Sequence, residues 1–234
     1  MHSSSIISVT FSPNNHTIVS ASVDGTVKLW GREGELFNTL KGKFTKTSSV
    51  SFSPDVDGNI IAAGSPHGIV QLWNNDGNPL GNWDAHNTSI YNIRFSPNGQ
   101  IIATGSEDNT VKLWDLHGIP LKLLKGHTAG IWGLDFSPDE LMIANSSDDG
   151  TVKIWWNKGV LIIPTKGYLG TVNSLRFDPN RKILATPSSD KTAILWNIEN
   201  LNLDGFIARG CNWLSNYLKN NRNAPTDICD EIKK

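Results

Sequence analysis

The 234-residue sequence predicts an all-β fold, a β-propeller of four-stranded antiparallel blades in five repeats, followed by a short C-terminal helix. Two spaced landmarks and one pattern inside each period predict it. An aromatic-polar-proline triplet recurs as Phe11-Ser12-Pro13, Phe52-Ser53-Pro54, Phe95-Ser96-Pro97, Phe136-Ser137-Pro138 and Phe177-Asp178-Pro179, at intervals of 41, 43, 41 and 41 residues. An apolar residue precedes Trp30, Trp73, Trp114, Trp155 and Trp196, at intervals of 43, 41, 41 and 41. Self-similarity at such a period marks stacked supersecondary units, each unable to bury its own apolar faces.

The pattern within a period is that of short strands and tight turns. In the fourth repeat Ile131 to Phe136 reads as a first strand, and Ser137-Pro138-Asp139-Glu140 as a turn, because proline cannot donate to a strand ladder. Leu141 to Ser146 follows as a second strand, and Asp149-Gly150 as a turn that tolerates positive φ. Thr151 to Trp155 alternates as a third, and Val160 to Ile163 forms an outer fourth. The longer interval falls one step apart in the two series, which places a two-residue insertion in the loop Asp55 to Asn59 and leaves the flanking strands unshifted. The repeats then span approximately 2–42, 43–85, 86–126, 127–167 and 168–206, so that 1–206 forms the propeller. Trp213, Leu214, Tyr217 and Leu218 make one apolar stripe in a helix at 207–220, and 221–234 is a polar tail.

Composition narrows the function. A net charge of -1 gives no global attraction for nucleic acid or an anionic membrane, so neither is an expected partner. Both cysteines, Cys211 and Cys229, lie near the C-terminus, which fits a reducing, cytoplasmic setting without a disulfide framework.

The repeats resemble the WD-repeat (Gβ-like) family. The Gly-His that opens a typical repeat stands at Gly126-His127, its His recurs at His2 and His86, and the Trp-Asp dipeptide is present as Trp114-Asp115. Six residues before each terminal Trp lie Asp24, His67, Asp108, Asp149 and Asp190. The resemblance implies a hydrogen-bonded network inside each blade: His2, Ser22, Asp24 and Trp30; His86, Ser106, Asp108 and Trp114; His127, Ser147, Asp149 and Trp155; with Asp190 and Trp196 in the last. The second repeat carries Lys43 and His67 instead, and is expected to be the weakest blade. The segment Arg209 to Lys219 resembles the C-terminal part of large bacterial WD-repeat signalling proteins, which implies a sensor or scaffold role.

Catalysis is not expected. A Ser, a His and an Asp in one repeat look like a hydrolase triad, but the set recurs in three blades, whereas an active site needs one nucleophile in one place. No metal, cofactor or catalytic residue is assigned; a propeller enzyme with its site at the channel mouth is the alternative. Lys28, Lys112 and Lys153 recur two residues before the Trp and read as a solvated strand face.

What varies is more informative. Five residues after the opening position stand Ile7, Ser48, Tyr91, Trp132 and Asn173, near the loops that the family presents on its top face. Tyr91 and Trp132 are neighbours on consecutive blades, and Glu107 with Asp148 adds an acidic rim. These four are the candidate residues for a protein or peptide partner, one of basic-aromatic character. Five blades fall short of the family's commonest ring of seven. The alternatives are a five-blade closure, an arc completed by self-association or another chain, and a segment of a longer array. The position of Met1 at the start of a repeat favours the last, as a truncated remnant.

Overall fold

The computed structural model describes residues 1–54, 59–156, 159–166, 168–180 and 183–198. Blade 1 contains β1 (Ile6–Phe11), β2 (Thr17–Ser22), β3 (Thr26–Gly31) and β4 (Leu36–Lys41). Blade 2 contains β5 (Ser49–Phe52), β6 (Ile60–Gly64), β7 (Ile69–Asn74) and β8 (Pro79–Asp84). Blade 3 contains β9 (Ile90–Phe95), β10 (Ile102–Ser106), β11 (Thr110–Trp114) and β12 (Pro120–Lys125). Blade 4 contains β13 (Ile131–Phe136), β14 (Met142–Ser147), β15 (Thr151–Trp156) and β16 (Leu161–Lys166), and blade 5 contains β17 (Arg176–Phe177), β18 (Ile183–Pro187) and β19 (Ala193–Asn197). Each sheet is an antiparallel meander in chain order.

The turns explain why these segments are strands. After the first strand of a blade, the hydroxyls of Ser12, Ser96 and Ser137 donate to Asn14, Asn98 and Asp139 at 2.7 Å each, and accept the N–H of Thr17, Ile101 and Met142, at or one residue before the start of the next strand. Between the second and third strands a residue at positive φ recurs as Gly25, Gly68, Asn109, Gly150 and Lys191. At Gly68 a Cβ would lie 1.8 Å from the His86 carbonyl oxygen, so blade 3 docks against bare backbone there. The insertion loop changes no register, since Phe52 faces Ile61 as Phe95 faces Ile102; its residues 55–58 lie outside the described ones.

The core is divided among the junctions between blades. One buried cluster joins Val19, Val27 and Leu29 of blade 1 to Val50 and Phe52 of blade 2. Equivalent clusters fill the three following junctions. Inner strands are also sewn together by side chains: Ser48 Oγ donates to the Ile90 carbonyl at 2.5 Å, and Asn92 Nδ2 to the Trp132 carbonyl at 2.9 Å.

Blade 5 departs from the others. Its inner strand is reduced to β17 and one bridge, Val172 to Ser188, and the end of the fifth repeat, the expected helix at 207–220 and the tail lie outside the described residues. The inner strands β1, β5, β9, β13 and β17 pack in succession, but among the described residues β17 and β1 do not meet in this way, and the sheets are not closed into a ring.

Candidate functional site

The His, Asp and Trp of repeats 1, 3 and 4 meet as one network in each blade. His2 Nδ1 lies 3.1 Å from Asp24 Oδ2, and its Nε2 lies 2.7 Å from Ser20 Oγ, which also accepts Trp30 Nε1–H at 2.7 Å. In blade 3 the distances are 2.7 Å for His86 to Asp108, 2.8 Å for His86 to Thr104 and 3.0 Å for Trp114 to Thr104. Blade 4 places Asn145 between His127, at 2.8 Å, and Trp155, at 3.4 Å. A hydroxyl can donate to imidazole and accept from indole at one atom, whereas the amide oxygen of Asn145 meets both rings as an acceptor. In blade 5 Tyr168 takes the histidine's place and bonds Thr186, which also accepts Trp196 Nε1–H at 2.7 Å.

The shared hydroxyl is therefore not at Ser22, Ser106 or Ser147, as the sequence suggested. Those three close the following turn, each accepting the N–H of its Asp at 3.1 Å. The residue two places earlier lies alongside the indole, because Ser20 pairs with Lys28 and Trp30 shares that residue's side of β3. A threonine was also missed. Thr26, Thr110 and Thr151 bind the Asp oxygens through both hydroxyl and N–H, and the recurrent spacing of Asp24 with Thr26, and of Asp190 with Thr192, is the signal that could have found it.

Electrostatics agree with a structural role. Burial lowers the pKa of His86 and His127, outweighing the carboxylates of Asp108 and Asp149. Burial also opposes ionisation of Asp108 and Asp149, but the hydrogen bonds from Thr110 and Thr151 and from the histidines hold both carboxyls below the usual range. The Ser20–His2–Asp24 order is that of a hydrolase triad, yet Ser20 is buried and its oxygen already accepts the Trp30 indole.

In blade 2 the network's volume is apolar. Phe44 meets Trp73 edge-on at 6.2 Å, and Ala63 stands where Ser20 stands in blade 1. Apolar groups thus replace the histidine and the hydroxyl acceptor, while the Trp73 indole is retained and the Thr47 hydroxyl of the same blade is buried without a hydrogen-bond partner. The lysines need a second correction. Lys28 and Lys153 are buried, and Lys28 donates to Thr39 at 2.9 Å while Lys112 donates to the Ala85 carbonyl at 2.7 Å. Their stems pack within the blades and form no solvated face.

Tyr91 and Trp132 lie ring on ring, with centroids 4.4 Å apart and planes 14° from parallel. Trp132 is 38 % exposed and carries the outer ring. Gly130 makes the stack fit, since a Cβ there would lie 3.1 Å from the Tyr91 ring. Burial, and then the carboxylates of Glu107 and Asp148, pushes the phenol's pKa up. Asp148 also accepts the Thr171 hydroxyl at 2.8 Å. All four residues singled out in the sequence thus share one surface patch, and Gly130 and Thr171 complete it. Among the described residues no group of three or more His, Cys, Asp or Glu could hold a metal ion, and no helix is long and apolar enough to cross a membrane.

Repeated four-stranded sheets with a His-Asp-Trp network define a WD-repeat β-propeller. A family model described as the IFT122 first beta-propeller matches residues 1–197, and the chain belongs to that family. It is 34% identical over 101 residues to the nuclear distribution protein PAC1 of Arthroderma benhamiae, which covers 42% of this chain and 22% of that protein. It is 37% identical over 101 residues to the small ribosomal subunit protein RACK1y of Oryza sativa subsp. japonica (42% and 29%), and 36% identical over 72 residues to protein tipD of Dictyostelium discoideum (30% and 11%). The matches thus span less than a third of each of these relatives, all of them eukaryotic.

Proposed function

We propose that the chain is a non-catalytic protein-interaction scaffold or sensor whose top face binds a basic-aromatic peptide at Tyr91 and Trp132. The observation that carries this reading is the exposed aromatic stack beside Glu107 and Asp148. A flat π surface gives a rigid apolar contact at small entropic cost, and adjacent carboxylates favour a Lys or Arg side chain laid over it. The WD-repeat relatives support an interaction role, and the cytoplasm is the setting it implies. The test is affinity selection from a random peptide library, followed by titration of the enriched peptides. Tyr91→Ser with Trp132→Ser is expected to weaken them about tenfold or more, a loss of roughly 1.4 kcal/mol. Glu107→Lys with Asp148→Lys is expected to do the same, and unchanged affinity in that pair rules out the basic ligand.

A second reading, self-association, is favoured by the two ends of the blade series. In β5, β9, β13 and the first strand of blade 5, the Phe of each repeat is 7–8% exposed, because the preceding blade covers it, whereas Phe11 is 61% exposed. At the other end Leu195 is 68% exposed, while Leu29, Leu72, Leu113 and Ile154 in the same position are 1–3%. The faces are matched halves of the internal junction, so the occupant is a second copy joined head to tail. One position fits less well. Gly64 and Gly105 lie under Ile90 and Ile131 with no room for a Cβ, and Pro187 holds that place where Ile6 would dock. Sedimentation is expected to show concentration-dependent association that Phe11→Asp abolishes and Pro187→Gly strengthens; a monomer at all concentrations ends this reading.

A further inference from the structure

The residue just before the blade Phe reads, from blade 1 to blade 5, Thr10, Ser51, Arg94, Asp135 and Arg176. The last three gather two guanidiniums and one carboxylate along the inner edges of consecutive blades. Asp135 is already committed: its Oδ2 accepts the Phe177 N–H at 3.0 Å, and its Oδ1 lies 3.7 Å from Arg176 Nη1. Arg94 donates to the carbonyl of Ile93 at 3.0 Å, and among the described residues it has no carboxylate within ion-pair distance. Burial, then the like charge of Arg176, pulls the Arg94 guanidinium down to about 10, while burial pushes the Asp135 carboxyl up.

We propose that Arg94 and Arg176 form a binding site for a small oxyanion, a phosphate or carboxylate group held at the inner edge of blades 3 to 5. The cluster carries two positive charges against one negative, and a half-buried guanidinium whose nearest carboxylate is shared with a second arginine is costly. Guanidinium presents planar forks of donors that match oxyanion geometry, and the Arg176 side chain, 53% exposed, leaves the cluster open to solvent. This site is distinct from the Tyr91–Trp132 patch, and neither reading depends on the other.

The full chain is titrated with inorganic phosphate and, separately, with acetate, at constant ionic strength held by sodium chloride, and followed by calorimetry and thermal unfolding. Saturable phosphate binding with a rise in Tm is expected. A response to both probes assigns a general oxyanion site, and one to phosphate alone restricts it to phosphate groups. Arg94→Met and, at the more exposed position, Arg176→Met are each expected to weaken binding at least tenfold. Asp135→Asn separates a site from a purely structural ion pair: removing the competing carboxylate is expected to tighten phosphate binding severalfold. Absence of saturable binding, or binding in both arginine variants as tight as in the parent chain, or unchanged or weaker binding in Asp135→Asn, overturns the proposal.

Discussion

Phe95→Ala is expected to destabilise the fold by about 3–5 kcal/mol, whereas the same substitution at Phe11 is expected to cost less than about 0.5 kcal/mol. The two residues hold the same place in their repeats. Phe95 is 8% exposed and belongs to a cluster with Ala62, Val70 and Leu72 of the blade before it. Phe11 is 61% exposed, and truncation there opens no cavity. Urea unfolding at concentrations where the chain is monomeric reads both midpoints. Equal shifts would mean that the leading face of blade 1 is covered in solution by something within the same molecule.

His86→Ala is expected to cost about 2–3 kcal/mol, because it opens a cavity inside the blade and takes the imidazole partner from both the Asp108 carboxylate, which keeps Thr110, and the Thr104 hydroxyl. The same histidine contributes a pH dependence of definite sign. Its folded-state pKa lies below the unfolded value of 6.5, as does that of His127, so protons bind the unfolded chain first as the medium is acidified. Stability is full above pH 6.5 and falls as the pH drops through the folded-state values. The depressed carboxyls of Asp108 and Asp149 add a further loss below 3.8. Thermal unfolding between pH 7 and pH 5 is expected to show a falling Tm in the parent chain and a flatter profile in His86→Ala. A Tm that rose on acidification would mean the imidazoles are charged in the native state.

Much of this was legible because a repeat samples one structural solution five times. Phe, Pro, Asp and Trp at fixed offsets reported strand ends, turns and the blade network, and the register through the insertion loop followed from spacing alone. The errors were of one kind. Ser22, Ser106 and Ser147 share strand and parity with Ser20, Thr104 and Asn145, and only the reach of the indole across the sheet separates the two sets. Lys28 and Lys153 read as solvated because a strand pattern does not say what the next blade or the outer strand covers. Phe44 was invisible as a replacement for the network because it stands one residue after the position that histidine occupies elsewhere.

The linear sequence by itself determined the blade, its four-strand order and the identity of its His-Asp-Trp network, since these depend on local turns and on side chains brought together within one short meander. Only the tertiary structure decided how Tyr91 and Trp132 lie against each other, how three inner-edge residues place two arginines around one aspartate, and which apolar faces stay bare at the ends. Those features arise between blades, where packing joins residues some 40 positions apart and no single repeat encodes its neighbour.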